Sequence, residues 1–293
     1  MARSTTRKIK EDFQRPDLKV VTKPQVLTKP YSDINLNEWK EYSHVKTDTW
    51  WEFASRDKSG KHSNEYHGNY IPQIAQQLFE RYTKKNDVVL DLFLGSGTSA
   101  IEAINMDRKC IGVELKPELA EYVSTKFSAK ELVTSANIIC ADSASQEAKD
   151  KIQARLDVMG REKAQFLMLH PPYDDIIKFS DKKEDLSNCS NTEEFYDLFG
   201  KVAKNGYDLL EKGRFAALII GDKYANSQIY PLGAECSRKM NELGFITKAI
   251  IVKNIEGNEK AKGRTANLWR YRALQGGFYI FKHEYIYIFQ KVK

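Results

Sequence analysis

The sequence has no run of about 18 consecutive apolar residues, the length a helix needs to span a bilayer, and its start, MARSTTRKIKEDFQRPDLK, lacks the apolar core of a secretory signal. A soluble, cytoplasmic protein with no membrane association is the expectation. Cys110, Cys140, Cys189 and Cys236 lie far apart and make no CxxC pair, which argues against a zinc site and a disulfide framework, so no metal is expected. The GKS or GKT ending of a phosphate-binding loop is missing. Internal repeats and low-complexity tracts are absent as well.

What is present is enough apolar material, 41% of 293 residues, for the core of one large α/β domain. The net charge of +6 on a chain that is 29% charged says little, but its distribution says more. Residues 1–45 carry many basic side chains, several prolines and little periodicity, and read as a basic extended N-terminal arm; the main domain is expected at 46–293. Near the other end, 254–277 is a loop-like basic segment in which Lys260, Lys262, Arg264, Arg270 and Arg272 stand beside Trp269 and Tyr271. Such interleaving suits a phosphate backbone with bases to stack upon, and it equally suits a solvated loop with Trp269 as a core anchor.

Between these ends strand-like and helix-like segments alternate. IPQIAQQLFERYTK reads as a helix, DVVLDLF, KCIGVEL, ANIICADS and AQFLMLH as strands, Glu193 to Leu210 and Tyr230 to Leu243 as helices, and RFAALIIGD, ITKAIIVKN and HEYIYIFQK as strands. The alternation predicts an α/β fold with a doubly wound, mostly parallel sheet.

VVLDLFLGSGTSAIEA places Asp91 at a strand end, Gly95 and Gly97 in the turn and Thr98 at a helix start, where backbone N–H groups can face a polar ligand. Glu114 ends the next strand, 17 residues after Gly97, and a carboxylate there can accept from ribose hydroxyls. Asp142 and Ser143 end a third strand, so Asp91, Glu114 and Asp142 are expected along one crevice. A dinucleotide-dependent oxidoreductase would explain the loop, although Ala100 stands where its third glycine belongs. It leaves LMLHPPYDD, a buried strand ending in His170, Pro171, Pro172 and Tyr173, without a role.

DLFLGSGT, GVEL, ADS and HPPY together resemble the DNA amino-methyltransferases, which methylate cytosine N4 or adenine N6, over His67 to Lys291. The resemblance implies a Rossmann-like, class I S-adenosylmethionine-dependent methyltransferase fold. It implies that Asp91, Phe93, Gly95, Ser96, Gly97 and Thr98 cradle the cofactor's methionine part, that Glu114 holds the ribose, and that Asp142 with Ser143 approaches the adenine. YHGNYIP, Tyr66 to Pro72, resembles a further cofactor-contact motif.

The same resemblance makes His170, Pro171, Pro172 and Tyr173 the catalytic corner, with Tyr173 stacking on a base extruded from double-stranded DNA. The segment 254–277 becomes the target-recognition element, and room is left for a companion restriction endonuclease. Cytosine N4 is favoured over adenine N6 because no acidic residue precedes the prolines. RNA or protein-amide methylation, and a nucleic-acid-binding module that has lost catalysis, are the competing readings.

His170 departs from the family pattern of Asp, Asn, Ser or Thr at this position. Its bland alternative is a strand-end histidine hydrogen-bonded to structure. A neutral imidazole can accept one hydrogen bond and a protonated one cannot, so activity is expected to fall as pH drops through the His170 pKa.

Overall fold

The apolar runs are buried on both faces, and such strands are stable only in the interior of a sheet covered by helices on each side. A computed structural model describes residues 31–62, 68–255 and 266–292, with the side chains of Ala266 and Asn267 left aside. The chain order is β1 (Trp50–Trp51), α1 (Pro72–Tyr82), β2 (Val88–Asp91), α2 (Thr98–Asn105), β3 (Lys109–Glu114), α3 (Pro117–Ser124), α4 (Ala129–Thr134) and β4 (Ala136–Cys140). It continues with α5 (Gln146–Val158), β5 (Ala164–Leu169), α6 (Thr192–Leu209), β6 (Leu210–Ile220), β7 (Lys223–Ala225), β8 (Gln228–Tyr230), α7 (Leu232–Glu242), β9 (Phe245–Asn254), α8 (Ala266–Gly276) and β10 (His283–Lys291).

Eight strands form one sheet in the order β1-β9-β10-β6-β5-β2-β3-β4, and β7 pairs with β8 in a separate hairpin. The pairs are parallel except that β10 runs antiparallel to both β6 and β9. This is the expected doubly wound, mostly parallel sheet, and its reversal point lies between β2 and β5. The chain moves outward through β3 and β4 on one side of that point and through β6 on the other, so a crevice opens at the carboxyl ends of β2 and β5.

Period-two alternation assigns each strand residue to one face. Val88 and Leu90 of β2, Leu167 and Leu169 of β5, and Ala216, Leu218 and Ile220 of β6 belong to the core under α5, α6 and α7. Val89, Phe166, Met168, Phe215, Ala217 and Ile219 belong to the opposite core, with Ile74, Leu78 and Phe79 of α1 and Ile101 of α2. In α1, Pro72 sits in the first turn, where a missing N–H costs nothing.

Residues 1–30 of the expected arm lie outside the described residues, whereas 31–45 are anchored. Tyr31 packs on Phe215 at 4.8 Å, its carbonyl accepts from Arg214, and Asp33 accepts from the Lys85 N–H at 2.7 Å. At the other end, the expected loop character of 254–277 gives way to α8 over 266–276. Leu268, Arg270, Arg272, Ala273, Leu274 and Gln275 are good helix formers, and Gly277, at φ +66°, is the left-handed residue that stops them.

Phe166 joins β5 to α1, edge-on to Phe79 at 5.8 Å and stacked on Tyr82 at 6.2 Å, with no exposure. Phe166→Ala is expected to destabilise the fold by about 3–5 kcal/mol, measured by urea denaturation; a loss under about 1 kcal/mol would show that this joint does not hold the core.

Candidate active site

At the end of β2 the chain turns through a loop that Asp91 organises from beneath. Its carboxylate is fully buried and accepts from the Phe93 N–H at 2.9 Å and the Ser99 hydroxyl at 2.5 Å, while Ser99 is also hydrogen-bonded to the Tyr70 hydroxyl. Burial raises the Asp91 carboxyl to about 6. Gly97 caps α2 at φ +88°, and a Cβ there would come within 2.7 Å of the Val123 side chain, so both conformation and space call for glycine. Asp91, Ser96 and Gly97 shape the loop from behind and do not line the cavity in front of it.

That cavity, about 830 Å³, is lined by Phe93, Gly95, Thr98, Glu114, Asp142 and Ser143 of the expected set. The Glu114 carboxylate accepts from the N–H groups of Gly95 at 2.9 Å and Lys116 at 3.0 Å, which fixes loop to strand end; burial raises it to about 7. Ser143 donates to the Leu92 carbonyl at 2.7 Å. Gly68, Asn69 and Tyr70 of the upstream motif also line the cavity, whereas Tyr66 and His67 lie outside the described residues. Sequence reasoning missed Lys116 and Glu184, whereas Asp185 begins the DLSN segment that it reads as shaping the target pocket. Glu184 and Asp185 come from the loop after the Pro-Pro-Tyr corner, which folds back when Lys182 donates to the Leu115 carbonyl at 2.7 Å.

His170, Pro171, Pro172, Gly68, Asn69, Tyr70 and Phe179 are shared with a second cavity of about 870 Å³. Its further walls are Tyr173, Ile176 and Ile177 from the corner, Arg56, and two residues from distant strands, Lys253 and Glu284. Lys253 and Glu284 are direct cross-strand neighbours on β9 and β10, both buried, with Nζ 3.0 Å from Oε1. The second Glu284 oxygen accepts from the Tyr173 hydroxyl at 2.7 Å. The Tyr173 ring rests on Gly221, where a Cβ would come within 2.9 Å of it, so the aromatic wall has one available position. His170 stands edge-on between Tyr70 at 5.2 Å and Tyr173 at 5.8 Å.

Residues 5–125 match the sequence family described as DNA methylase. The Type II methyltransferase M.MjaII of Methanocaldococcus jannaschii is 30% identical over 105 residues, 32% of this chain and 19% of that protein. The Type II methyltransferase M.BglI of Bacillus subtilis is 33% identical over 78 residues, 25% of this chain and 22% of that protein. The family match covers less than half of the 293 residues, and the likeness is to DNA methylases over that stretch. The matched stretches span less than a quarter of each of these two relatives, at 19% and 22%. Among solved structures, TrmN from Thermus thermophilus has the same fold, with a TM-score of 0.50 at 16% identity over 77% of this chain and 50% of that one.

The methyl donor of this family is S-adenosylmethionine. The first cavity suits it in charge, because Asp142, Glu184 and Asp185 outnumber Lys116 on its wall and give it an anionic character toward a sulfonium and an ammonium group. Among the described residues, no group of three or more His, Cys, Asp and Glu side chains is arranged to hold a metal ion, and no helix is long and apolar enough to cross a membrane.

Of the residues expected to meet nucleic acid, Lys260, Lys262 and Arg264 lie outside the described residues. Trp269, Arg270 and Arg272 are exposed on α8, with the Arg272 guanidinium 5.4 Å over the Trp269 ring, and none lines either cavity. That exposure does not suit the alternative of Trp269 as a core anchor.

Burial lowers the His170 imidazole to about 4, with Glu284 opposing and Lys253 and Arg56 reinforcing the effect. The ring therefore stays neutral at ordinary pH and retains an acceptor nitrogen, and any loss of activity through its protonation is displaced to acid pH. A histidine lowered from 6.5 withdraws stability as pH falls from about 6.5 toward 4, the range in which the unfolded chain binds the extra proton. Nitrogen-15 NMR of the imidazoles is expected to show His170 neutral down to about pH 5; an inflection near its ordinary 6.5 would contradict the buried setting.

Proposed function

We propose that this chain is an S-adenosylmethionine-dependent DNA methyltransferase that modifies an exocyclic amino group, with cytosine N4 as the target. The observation that carries the reading is that two cavities share one wall, His170, Pro171 and Pro172, so that ligands in both would meet at the same corner. Phe93, Gly95, Thr98, Glu114, Asp142 and Ser143 hold the cofactor, and Asp91, Ser96 and Gly97 keep the loop in shape behind them.

An exocyclic amine is a poor nucleophile because its lone pair is delocalised into the base. Neutral His170 accepts one amine hydrogen, and Pro171, with fixed φ and no N–H, keeps a competing donor out of the corner. Holding the amine hydrogens on acceptors favours the pyramidal nitrogen that attack requires. Tyr173, fixed by Glu284, presents a ring to a base swung out of the duplex. The nitrogen gains a methyl group and releases one proton, and the donor sulfur is left as the neutral thioether of S-adenosylhomocysteine.

The absence of a carboxylate at position 170 supports cytosine. The domain is read as 46–293 with 254–277 as its recognition element, where Trp269, Arg270 and Arg272 of α8 meet the duplex with Lys260, Lys262 and Arg264. A companion endonuclease is suggested by relatives such as the probable type III restriction-modification enzyme HindVI Mod subunit of Haemophilus influenzae.

Incubating the chain with labelled S-adenosylmethionine and mixed-sequence DNA, then digesting to nucleosides for mass spectrometry, is expected to yield N4-methylcytosine. Label in RNA or protein alone would overturn the reading, and N6-methyladenine would correct the base. Glu114, raised from 4.5 to about 7, makes folding less favourable as pH rises across that interval; ligand hydroxyls donating to the ionised carboxylate act in the opposite direction. S-adenosylhomocysteine binding, by calorimetry, is therefore expected to tighten as pH rises through about 7. Glu114→Gln should weaken it about tenfold or more and flatten the profile, and an unchanged slope removes Glu114 from this role.

A further inference from the structure

Four side chains form a continuous polar row at the corner. Lys253 Nζ lies 3.0 Å from Oε1 of Glu284, Oε2 of Glu284 accepts from the Tyr173 hydroxyl at 2.7 Å, and the Tyr173 oxygen is 3.5 Å from Nε2 of His170. Lys253 and Glu284 are direct partners across β9 and β10, so the sheet fixes one end of the row. The Tyr173 ring, resting on Gly221, is fixed as well.

The direction of each hydrogen bond follows from the donor end. An ammonium group only donates and the carboxylate paired with it only accepts, so the hydroxyl hydrogen of Tyr173 belongs to Glu284. Burial and the adjacent carboxylate raise the tyrosine well above its ordinary pKa, which keeps that hydrogen in place. What the hydroxyl turns toward His170 is therefore a lone pair. Nε2 meets it favourably as an N–H and unfavourably as a bare nitrogen, even at 3.5 Å, where the hydrogen bond itself is weak.

In the neutral ring a hydrogen on Nε2 leaves Nδ1 as the acceptor. Nδ1 has no partner among the described residues. It is also not one of the buried side-chain atoms left without a partner there, Arg56 Nε and Asn137 Nδ2, so it keeps accessible surface on a residue that lines both cavities.

We propose that Glu284 is a positioning residue which, through Tyr173, sets His170 in the Nε2–H tautomer and so reserves Nδ1 as the acceptor of the corner. The use of that acceptor, taking a hydrogen of the target amine, rests on the methyltransferase reading, whereas the tautomer is measured without DNA. A carboxylate that fixes a histidine tautomer is an established catalytic device, and an amide in its place gives the wrong tautomer. Here the amide has a defined orientation. In Glu284→Gln, Lys253 can only donate and takes the amide oxygen, so the amide N–H faces Tyr173. The hydroxyl then accepts from the amide and turns its hydrogen to Nε2, which leaves the hydrogen of His170 on Nδ1.

Nitrogen-15 NMR of the full chain at neutral pH, with labelled histidine and His170→Gln for assignment, reads both ring nitrogens. The wild-type chain is expected to show Nε2 protonated and Nδ1 bare, and Glu284→Gln to show the two exchanged. Tyr173→Phe, which keeps the ring and the ion pair but loses the hydroxyl, should give a mixture, with the two resonances moved toward each other. A wild-type ring protonated on Nδ1, a folded Glu284→Gln without exchange, or the same tautomer ratio in Tyr173→Phe as in the wild type would overturn the proposal. Tyr173→Phe decides alone if Glu284→Gln does not fold. Methyl transfer to DNA by Glu284→Gln should fall about tenfold or more in kcat with KM for S-adenosylmethionine unchanged, and a reversed tautomer with unchanged kcat would overturn the role of Nδ1. If the tautomers behave as expected and the wild-type chain methylates no DNA, the positioning role stands and the methyl-transfer reading fails.

Discussion

The parallel pairing of β2 with β5, which sets Asp91 beside Met168, is the constraint on which the site depends. Because the chain winds away from this seam in both directions, neither strand's following connection covers the gap between their carboxyl ends. The glycine loop leaves from one strand and the His-Pro-Pro-Tyr corner from the other, side by side. Both strands are buried on both faces, so the seam is held by the two cores and has little freedom to slip: a one-residue shift would exchange Leu167 and Leu169 for Phe166 and Met168 on each face.

Charge is divided across the shared wall. The cavity over the glycine loop carries the carboxylates of Glu114, Asp142, Glu184 and Asp185, while the cavity beyond the prolines carries Arg56 and Lys253 against Glu284. The first wall is mostly anionic and the second carries two cations to one carboxylate, so the two sides of the corner differ in electrostatic character. The Lys253–Glu284 pair has a second consequence. Buried ion pairs rarely add much stability in themselves, but leaving one partner alone is strongly unfavourable, so the pair holds the Glu284 carboxylate where Tyr173 can bond to it. The same buried, net cationic surroundings keep His170 neutral.

Much of the framework was legible in the sequence because the cues were local. β-branched runs marked buried strands, and the order strand, glycine turn, helix, strand, acid located the first cavity. Where one local signal competed with another, the reading went astray. Basic and aromatic residues suggested a loop at 254–277, yet the helix propensity of Leu268 to Gln275 prevails over 266–276. The two-residue β1 and the short β7–β8 hairpin carry too little periodicity to register. Asp91 looks like a ligand-facing acid at a strand end, but its carboxylate turns inward to hold the Phe93 N–H and Ser99.

The sequence by itself determined the alternation of strands and helices, the presence of a glycine turn after β2 and the rigidity of the Pro-Pro corner, because each arises within a few bonded neighbours. Only the tertiary structure decided what faces that corner. Arg56, Lys253 and Glu284 are separated by up to about 230 positions in the chain, and in sequence each reads as an ordinary surface charge. They meet because β9 and β10 pair so that Lys253 lies opposite Glu284, and because α1 pins the segment that carries Arg56. Burial then turns three ordinary charges into a polar wall that must be satisfied.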